Sequence, residues 1–340
     1  MFKFLKRAAL ITVVALGAGA VVPADVAAQS DILLRLRSGS PAGDRFRVDS
    51  AGGVVALGQL GIGIIPASGD GTRMMWYPFK AAFRAGSAGD GGSTAWNDSN
   101  IGFYTLAGGL ANVVTGLAAV SFGQDNTVSG ENGVGIGEDT ECLTRFCVAI
   151  GDGSIANAHH SVAIGFRAST NSHSGSFVLA DSSAVAYTSA SAANQFTGRF
   201  AGGYRFFTNS AQNLGVAFAA NATTPSALSD RNAKTGFRDL DNEDILRRIR
   251  AVPVSTWSYK ADPTGTVHIG PMAQDFQKAF QLSEEDKLIN MGDLDGVNLA
   301  GVRALEARTR KMQAEIAARD KTIKDLEARL ARVEALLSRK

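Results

Sequence analysis

The spacing of apolar residues changes twice along this chain. In the middle, Ala107-Gly108-Gly109, Ser121-Phe122-Gly123, Gly135-Ile136-Gly137, Ala149-Ile150-Gly151 and Ala163-Ile164-Gly165 recur with their last glycines at 109, 123, 137, 151 and 165, a constant step of fourteen. A small residue, an apolar residue and a glycine at fixed phase predict one coil of a solenoid per repeat, each coil made of two short strands and two turns. Glycine serves the turn, and the apolar residue packs on its copy one coil away. The first copy is degenerate, with Gly108 in the apolar slot. Ahead of the repeat, alternating runs such as Ile32-Leu33-Leu34-Arg35-Leu36 and Phe46-Arg47-Val48 predict short strands and hairpins. Behind it, Asn194-Gln195-Phe196, the run from Gly203 to Thr208 and Val216-Ala217-Phe218 predict strands that end and cap the solenoid. Asn221 to Leu228 read as a loop.

From Ser229 onward the period is helical. Residues 241–250 form a predicted helix with an acidic first turn, Ile245, Leu246 and Ile249 on one face and arginines near its end. Pro253 stops it. Val254 to Lys260 and Val267 to Gly270 predict two strands around an Asp262-Pro263-Thr264-Gly265 turn, and a helix begun by Pro271 carries Ala273, Phe276 and Phe280. The tail has a heptad pattern that never slips. Val302, Thr309, Ile316, Ile323, Leu330 and Leu337 fall at a; Leu305, Met312, Arg319, Leu326 and Val333 fall at d. Five heptads predict a coiled coil, with Arg319 a polar exception that can set register. Heptads alone do not fix the number of strands.

Composition adds compartment and excludes some classes of function. At 340 residues the chain has room for two or three domains. Lys and Arg number 34 against 32 Asp and Glu, so no electrostatic footprint points to nucleic acid or an anionic membrane. Charge is scarce between about residues 83 and 226 and concentrates after Ser229, which argues for different architectures on the two sides. Lys3, Lys6 and Arg7, the apolar run from Ala8 to Val22, and Val26-Ala27-Ala28 before Gln29 have the form of a cleaved export signal. That run is short for a membrane span, is interrupted by Gly17 and Gly19, and ends at Pro23. The mature chain is expected outside the cytoplasm, in the bacterial envelope, on the surface or secreted, with no transmembrane segment.

Chemistry is sparse. Gly61 and Gly63 are not followed by the strand, turn and capped helix of a phosphate loop. Met74-Met75-Trp76-Tyr77 suits a core or a subunit contact. Cys142 and Cys147, the only cysteines, can close a small disulfide loop in an exported protein. Position 142 also matches Val128 and Ala156 in the repeat, which suits a small buried residue. His159 and His173 lie one period apart and default to exposed turn residues. Nothing calls for a metal or a cofactor. Ser229 and Lys234 form a candidate nucleophile and base, since a serine hydroxyl needs a neighbouring base and a lysine in a water-poor setting can serve. A five-residue spacing is uninformative by itself.

Two resemblances supply context. Ser161-Val162-Ala163-Ile164-Gly165 and its copies, over roughly residues 100–184, resemble the left-handed β-roll heads of trimeric autotransporter adhesins, which implies a parallel homotrimer. The chain departs from that family by ending in a coiled coil and not in barrel strands. Ser229-Asp230-Arg231-Asn232-Ala233-Lys234, the Ile245-Leu246 helix, Trp257-Ser258-Tyr259-Lys260 and the run from His268 to Phe276, in that order, resemble the C-terminal intramolecular chaperone domain of phage tailspikes and endosialidases, serine peptidase family seventy-four. That resemblance spans about residues 229–303. It implies a domain that assembles a β-rich fibre as a trimer and then cuts itself off. Ser229 would be the nucleophile, Lys234 the general base and Leu228–Ser229 the scissile bond, a single turnover on its own chain. His268 and Gln274 lie in matching motifs and are given packing or hydrogen-bonding roles.

The expected organisation is therefore an export signal at 1–28, a β-rich region at 29–99, a β-roll head at 100–184, a cap and linker at 185–228, a small α+β chaperone domain at 229–300 and a trimeric coiled coil at 301–340. The function expected is that of an exported homotrimeric, adhesin-like fibre that processes itself. The alternative is a structural surface adhesin whose C-terminal domain trimerises without cutting. A glycan hydrolase would need paired carboxylates across a cleft, which the Gly/Ser-rich repeat does not offer. Beyond its own copies, the ligand, glycan or protein, is not written in the sequence.

Overall fold

A computed structural model describes residues 32–38, 43–282 and 285–338. The export signal expected at 1–28 lies outside the described residues. The chain forms two compact units, one reaching Tyr204 and the other running from Arg205 to the C-terminus.

Among the described residues the first unit opens with a three-stranded antiparallel sheet of Ile32–Ser38, Gly43–Asp49 and Val54–Ala56. The repeat then folds as a β-solenoid. In each coil a five-residue strand such as Val134–Glu138 is followed, one turn later, by a two-residue strand such as Glu141–Cys142. Pairing is parallel and offset by the sequence period: Gly137 lies beside Gly123 on one side and Gly151 on the other. The long strands build one sheet and the short strands a second, six-stranded one.

That first sheet is wider than the repeat. It has nine strands, because the hairpin of Thr72–Tyr77 and Ala82–Ser87 joins in front, with Ala82–Ser87 parallel to Leu106–Leu110, and Phe196–Arg199 joins behind, parallel to Phe177–Ala180. Phe196, expected in a cap, is thus a strand of the solenoid sheet itself. Here the step between paired residues lengthens from fourteen, through Val162 with Phe177, to Phe177 with Phe196. The same lengthening removes His173 from the register of His159, whose carbonyl accepts from Gly175 N instead.

The interior is narrow and filled by columns of small side chains. Ala107, Ser121, Ala149, Ala163 and Val178 stack in one column, and Val114, Val128, Cys142 and Ala156 in another, all buried. Cys142 and Cys147 are disulfide-bonded, their Cα atoms 5.6 Å apart, and both are buried. A buried polar ladder, not anticipated from the sequence, climbs the same interior. Asn126 Nδ2 donates to Asn112 Oδ1 at 2.9 Å, and Thr140 N and Oγ1 donate to Asn126 Oδ1 at 2.9 and 2.6 Å. The Asn112 and Asn126 amides also donate to the carbonyls of Gly123 and Gly137, so the buried side-chain donors are themselves satisfied. At the front end Arg84 is buried with carbonyl oxygens as its partners, among them Phe83 O at 2.9 Å, and desolvation draws its guanidinium pKa down to about 10.

The widened coil behind the repeat is tied by one ion pair. Arg199 Nε donates to Asp181 Oδ1 at 3.1 Å, and the same carboxylate accepts from Ser183 Oγ at 2.6 Å and Ala201 N at 2.6 Å. The Ser183 hydroxyl first, with the Ala201 amide and Arg199 adding to it, holds the Asp181 carboxyl well below the usual carboxylate range. A depressed folded-state value contributes stability that is present above the ordinary carboxylate pKa and lost as pH falls. Asp181→Asn is expected to speed exchange of the Ser183 and Ala201 amides roughly tenfold at neutral pH. Hydrogen exchange corrected for intrinsic rates should show that gap closing as pH falls below about 4.

Gly203–Phe207, which runs over the division at Tyr204, forms a small three-stranded sheet with Gly215–Ala219 and Ser226–Ala227. Helix α1 (Asn242–Ala251) begins at Asp241, whose side chain accepts from Glu243 N and Asp244 N. Ser255–Trp257 and His268–Gly270 pair as an antiparallel ribbon. Helices α2 (Ala273–Phe280) and α3 (Met291–Leu337) follow. Helix α3 starts at Met291, capped by Asn290, well before the first heptad position. Its N-terminal part packs on α1: Gly301 faces the Ile249 Cδ1 methyl, and Ala304 is buried. No helix among the described residues is long and apolar enough to cross a membrane.

Candidate processing site

The candidate nucleophile sits between two local anchors. Upstream, Ser226–Ala227 pairs antiparallel with Val216 and Ala217, and Leu228 N donates to Gly215 O at 3.2 Å, so the chain leaves the sheet one residue before Ser229. Downstream, Asp230 has extended backbone and caps a single 3₁₀ turn, Arg231–Ala233. Its carboxylate accepts from Asn232 N at 2.9 Å and Asn232 Nδ2 at 3.2 Å. The turn reverses the chain, and Lys234 Nζ donates to Ser229 Oγ at 2.6 Å. The two residues that spacing alone left uninformative are therefore in direct contact.

That contact has the geometry of a nucleophile and its base, within hydrogen-bonding distance. In this contact the lysine is the donor; in a catalytic cycle a neutral amine would accept from the hydroxyl. Both side chains are exposed in the single chain. Arg231 lies over the Phe237 ring, 5.1 Å from its centroid.

A cleft of about 610 Å³ in this unit is lined by residues including Arg238, Asp241, Asp244, Arg248, Phe280 and Val297. Neither Ser229 nor Lys234 lines it, so the pair does not open onto this cleft. His268 stacks on Trp257 with ring centroids 4.8 Å apart and meets Tyr259 edge-on at 5.5 Å, a packing role for the ribbon. Among the described residues no group of three or more His, Cys, Asp or Glu is placed to hold a metal.

The heptad residues share helix α3. Val302, Leu305, Met312, Ile316, Ile323, Leu326, Leu330, Val333 and Leu337 are each more than half exposed in the single chain. A helix this long with an apolar seam facing water has no stable reason to exist alone.

A β-solenoid followed by a small helical unit, with a serine and lysine in contact near its start, fits a fibre protein that carries a C-terminal chaperone domain. Residues 229–283 match the family model described as the chaperone of endosialidase, Peptidase S74, and the match begins at Ser229. No curated protein and no solved structure matches the chain. The chaperone domain itself points to self-association and a folding role in a tail-fibre-like protein.

Proposed function

We propose that this chain is an exported homotrimeric fibre, adhesin-like in its solenoid, whose C-terminal domain aligns three copies, drives their folding and then cuts the Leu228–Ser229 bond. The observation that carries this reading is the Lys234 to Ser229 hydrogen bond at the first residue of the matched chaperone segment. Two exposed apolar surfaces support the trimer. One is the α3 seam. The other is the outside of the nine-stranded sheet, where Phe122 and Ile136 stand 43% and 37% exposed in register. A left-handed coil and parallel packing of three rolls follow the resemblance to the autotransporter heads.

The physical logic is kinetic. Pairing three solenoids in register requires loop-closure and association entropy to be met before contacts accumulate, and exposed edges aggregate meanwhile. A helical trimer at the C-terminus forms from local contacts and raises the effective concentration of the chains it joins. Exclusion of water favours the base form of a lysine. In this reading, packing of three copies around exposed Lys234 is what makes it a base.

Chemically, the amine takes the hydroxyl proton and Ser229 Oγ attacks the Leu228 carbonyl carbon. The bond to Ser229 N breaks as that nitrogen takes the proton back from the ammonium, leaving an ester between the Leu228 acyl group and Oγ. Water hydrolyses the ester to the Leu228 carboxylate and the free hydroxyl. Removing the chaperone leaves a fibre with a high unfolding barrier that does not readily refold.

The test is expression of residues 29–340 as wild type, Ser229→Ala and Lys234→Ala, compared on denaturing gels. Wild type is expected to give two fragments, Ser229→Ala one full-length band, and Lys234→Ala at least a hundredfold slower cleavage, within the roughly 10²–10⁴ span attributed to a general base. The exposure of Ser229 and Lys234 in the single chain favours the alternative, an adhesin with a trimerising domain that never cuts. A folded, trimeric, uncut wild type would select that alternative.

A further inference from the structure

We propose that Asp230 is a positioning residue for the cut: its carboxylate holds closed the turn that carries the Lys234 amine back to Ser229. The proposal rests on the self-cleavage reading above and assigns a role to a residue that neither touches the reacting atoms nor carries their proton. Five residue steps of extended chain would separate the Ser229 and Lys234 Cα atoms by up to roughly 17 Å, more than a four-carbon lysine stem spans. The dyad therefore exists only while the intervening chain is folded back.

The turn that folds it back is one turn long and exposed throughout. Such a turn has little intrinsic stability, because nucleating a helical turn fixes several dihedrals for one hydrogen bond. Its backbone bonds, Ala233 N to Asp230 O and Lys234 N to Arg231 O, are both 3.2 Å long. The shorter bond is the one from Asn232 N to Asp230 Oδ1 at 2.9 Å, reinforced by Asn232 Nδ2 at 3.2 Å. This is the Asx arrangement, in which a short acidic or amide side chain accepts from the backbone two residues on and substitutes for a further turn of chain.

Upstream, the Leu228 N–H is held on Gly215 O. The scissile peptide is thus tied to a sheet on one side and to a side-chain-capped turn on the other. Lysine contributes reactivity, and Asp230 contributes the effective concentration of its amine at the hydroxyl.

An Asx cap is a matter of shape and acceptor, not of charge, and this separates positioning from acid or base work. Asparagine presents an acceptor oxygen at the same place as the carboxylate oxygen and keeps the turn; alanine loses it. The experiment follows the first-order appearance of the N-terminal fragment from the chain of residues 29–340 after assembly, for wild type, Asp230→Asn and Asp230→Ala, with trimer content measured by sedimentation. Asp230→Asn is expected to cut within about threefold of wild type and Asp230→Ala at least about tenfold more slowly while still assembling. Were Asp230→Ala not to assemble, Asp230→Ser, whose hydroxyl makes the same bond more weakly, is expected to fall between wild type and one-tenth of its rate. Equal rates for wild type and the alanine or serine variant would overturn the proposal. So would an asparagine variant as slow as alanine, because charge would then be the operative property. A wild type that never cuts removes the self-cleavage reading and this proposal with it. Failure confined to the Asp230 variants leaves the self-cleavage reading standing.

Discussion

Replacing Ile316 and Ile323 together by Asp is expected to leave the chain unassembled and uncut. Both positions lie on the a stripe of α3 and are 55% and 51% exposed in the single chain. In a three-stranded coil the double variant would bury six carboxylates in the two a layers that flank the Arg319 layer, and three guanidiniums leave three of those carboxylates without a counter-charge. An uncompensated buried charge costs several kcal/mol even after local relaxation, more than two heptads of apolar packing return. Sedimentation should show monomers and aggregates in place of trimers, and gels should show one band, because unassembled chains leave Lys234 in water. Lys321→Asp, placed on the outward f position of the same heptad, should assemble and cut normally. If the double variant trimerised and cut like wild type, the seam would not be the assembly interface.

The second large effect concerns the solenoid. Gly137 has φ of +127°, and a Cβ built there would collide with the carbonyl of Gly151 in the next coil. Alanine at this position meets an unfavourable backbone conformation, about 1–3 kcal/mol, and in addition must push two paired strands apart. Because each coil templates the next, the displacement propagates along the stack. Gly91 also has positive φ, +71°, but nothing lies within 4 Å of an added Cβ. Gly91→Ala is therefore expected to lower the thermal midpoint by a few degrees, at about 2–4 °C per kcal/mol. Gly137→Ala should lower it several times as much or prevent recovery of folded fibre. Thermal unfolding by circular dichroism in the Ser229→Ala background, which removes processing as a variable, makes the comparison. Equal shifts would mean that the coils do not approach at the glycine column.

Much of this could be read before the structure, for a definable reason. A fixed fourteen-residue step is also the strand offset, so the pairing of Gly137 with Gly151 was implicit in the sequence. Where the step changed, the reading stopped. Phe196–Arg199 joins the solenoid sheet because the Asp181 and Arg199 pair ties off a longer coil, and a contact across 18 residues leaves no periodic trace. The Asn112 and Asn126 ladder was legible in principle, since the two lie one period apart, but attention to apolar positions passes over polar ones. Helix α3 begins at Met291 although Gly292, Gly296 and Gly301 dilute its early apolar pattern; Gly301 faces Ile249 of α1, a tertiary contact that no local pattern records. Ser229 and Lys234 gained meaning only from the ordered motifs after them. The turn that joins them was spelled out in Asp230 and Asn232, an Asx signal that spacing rules do not weigh.

The central claim, a one-time cut that follows assembly, is tested most directly by intact mass spectrometry of the wild-type chain of residues 29–340, folded with and without hydroxylamine. Two products are expected, one ending at Leu228 and the other beginning at Ser229. With hydroxylamine present, part of the first product should carry a hydroxamate in place of its terminal carboxylate, since an ester on Ser229 would be captured before water reaches it. A folded trimer whose only mass is that of the intact chain would contradict the account, and so would a cut at any other bond.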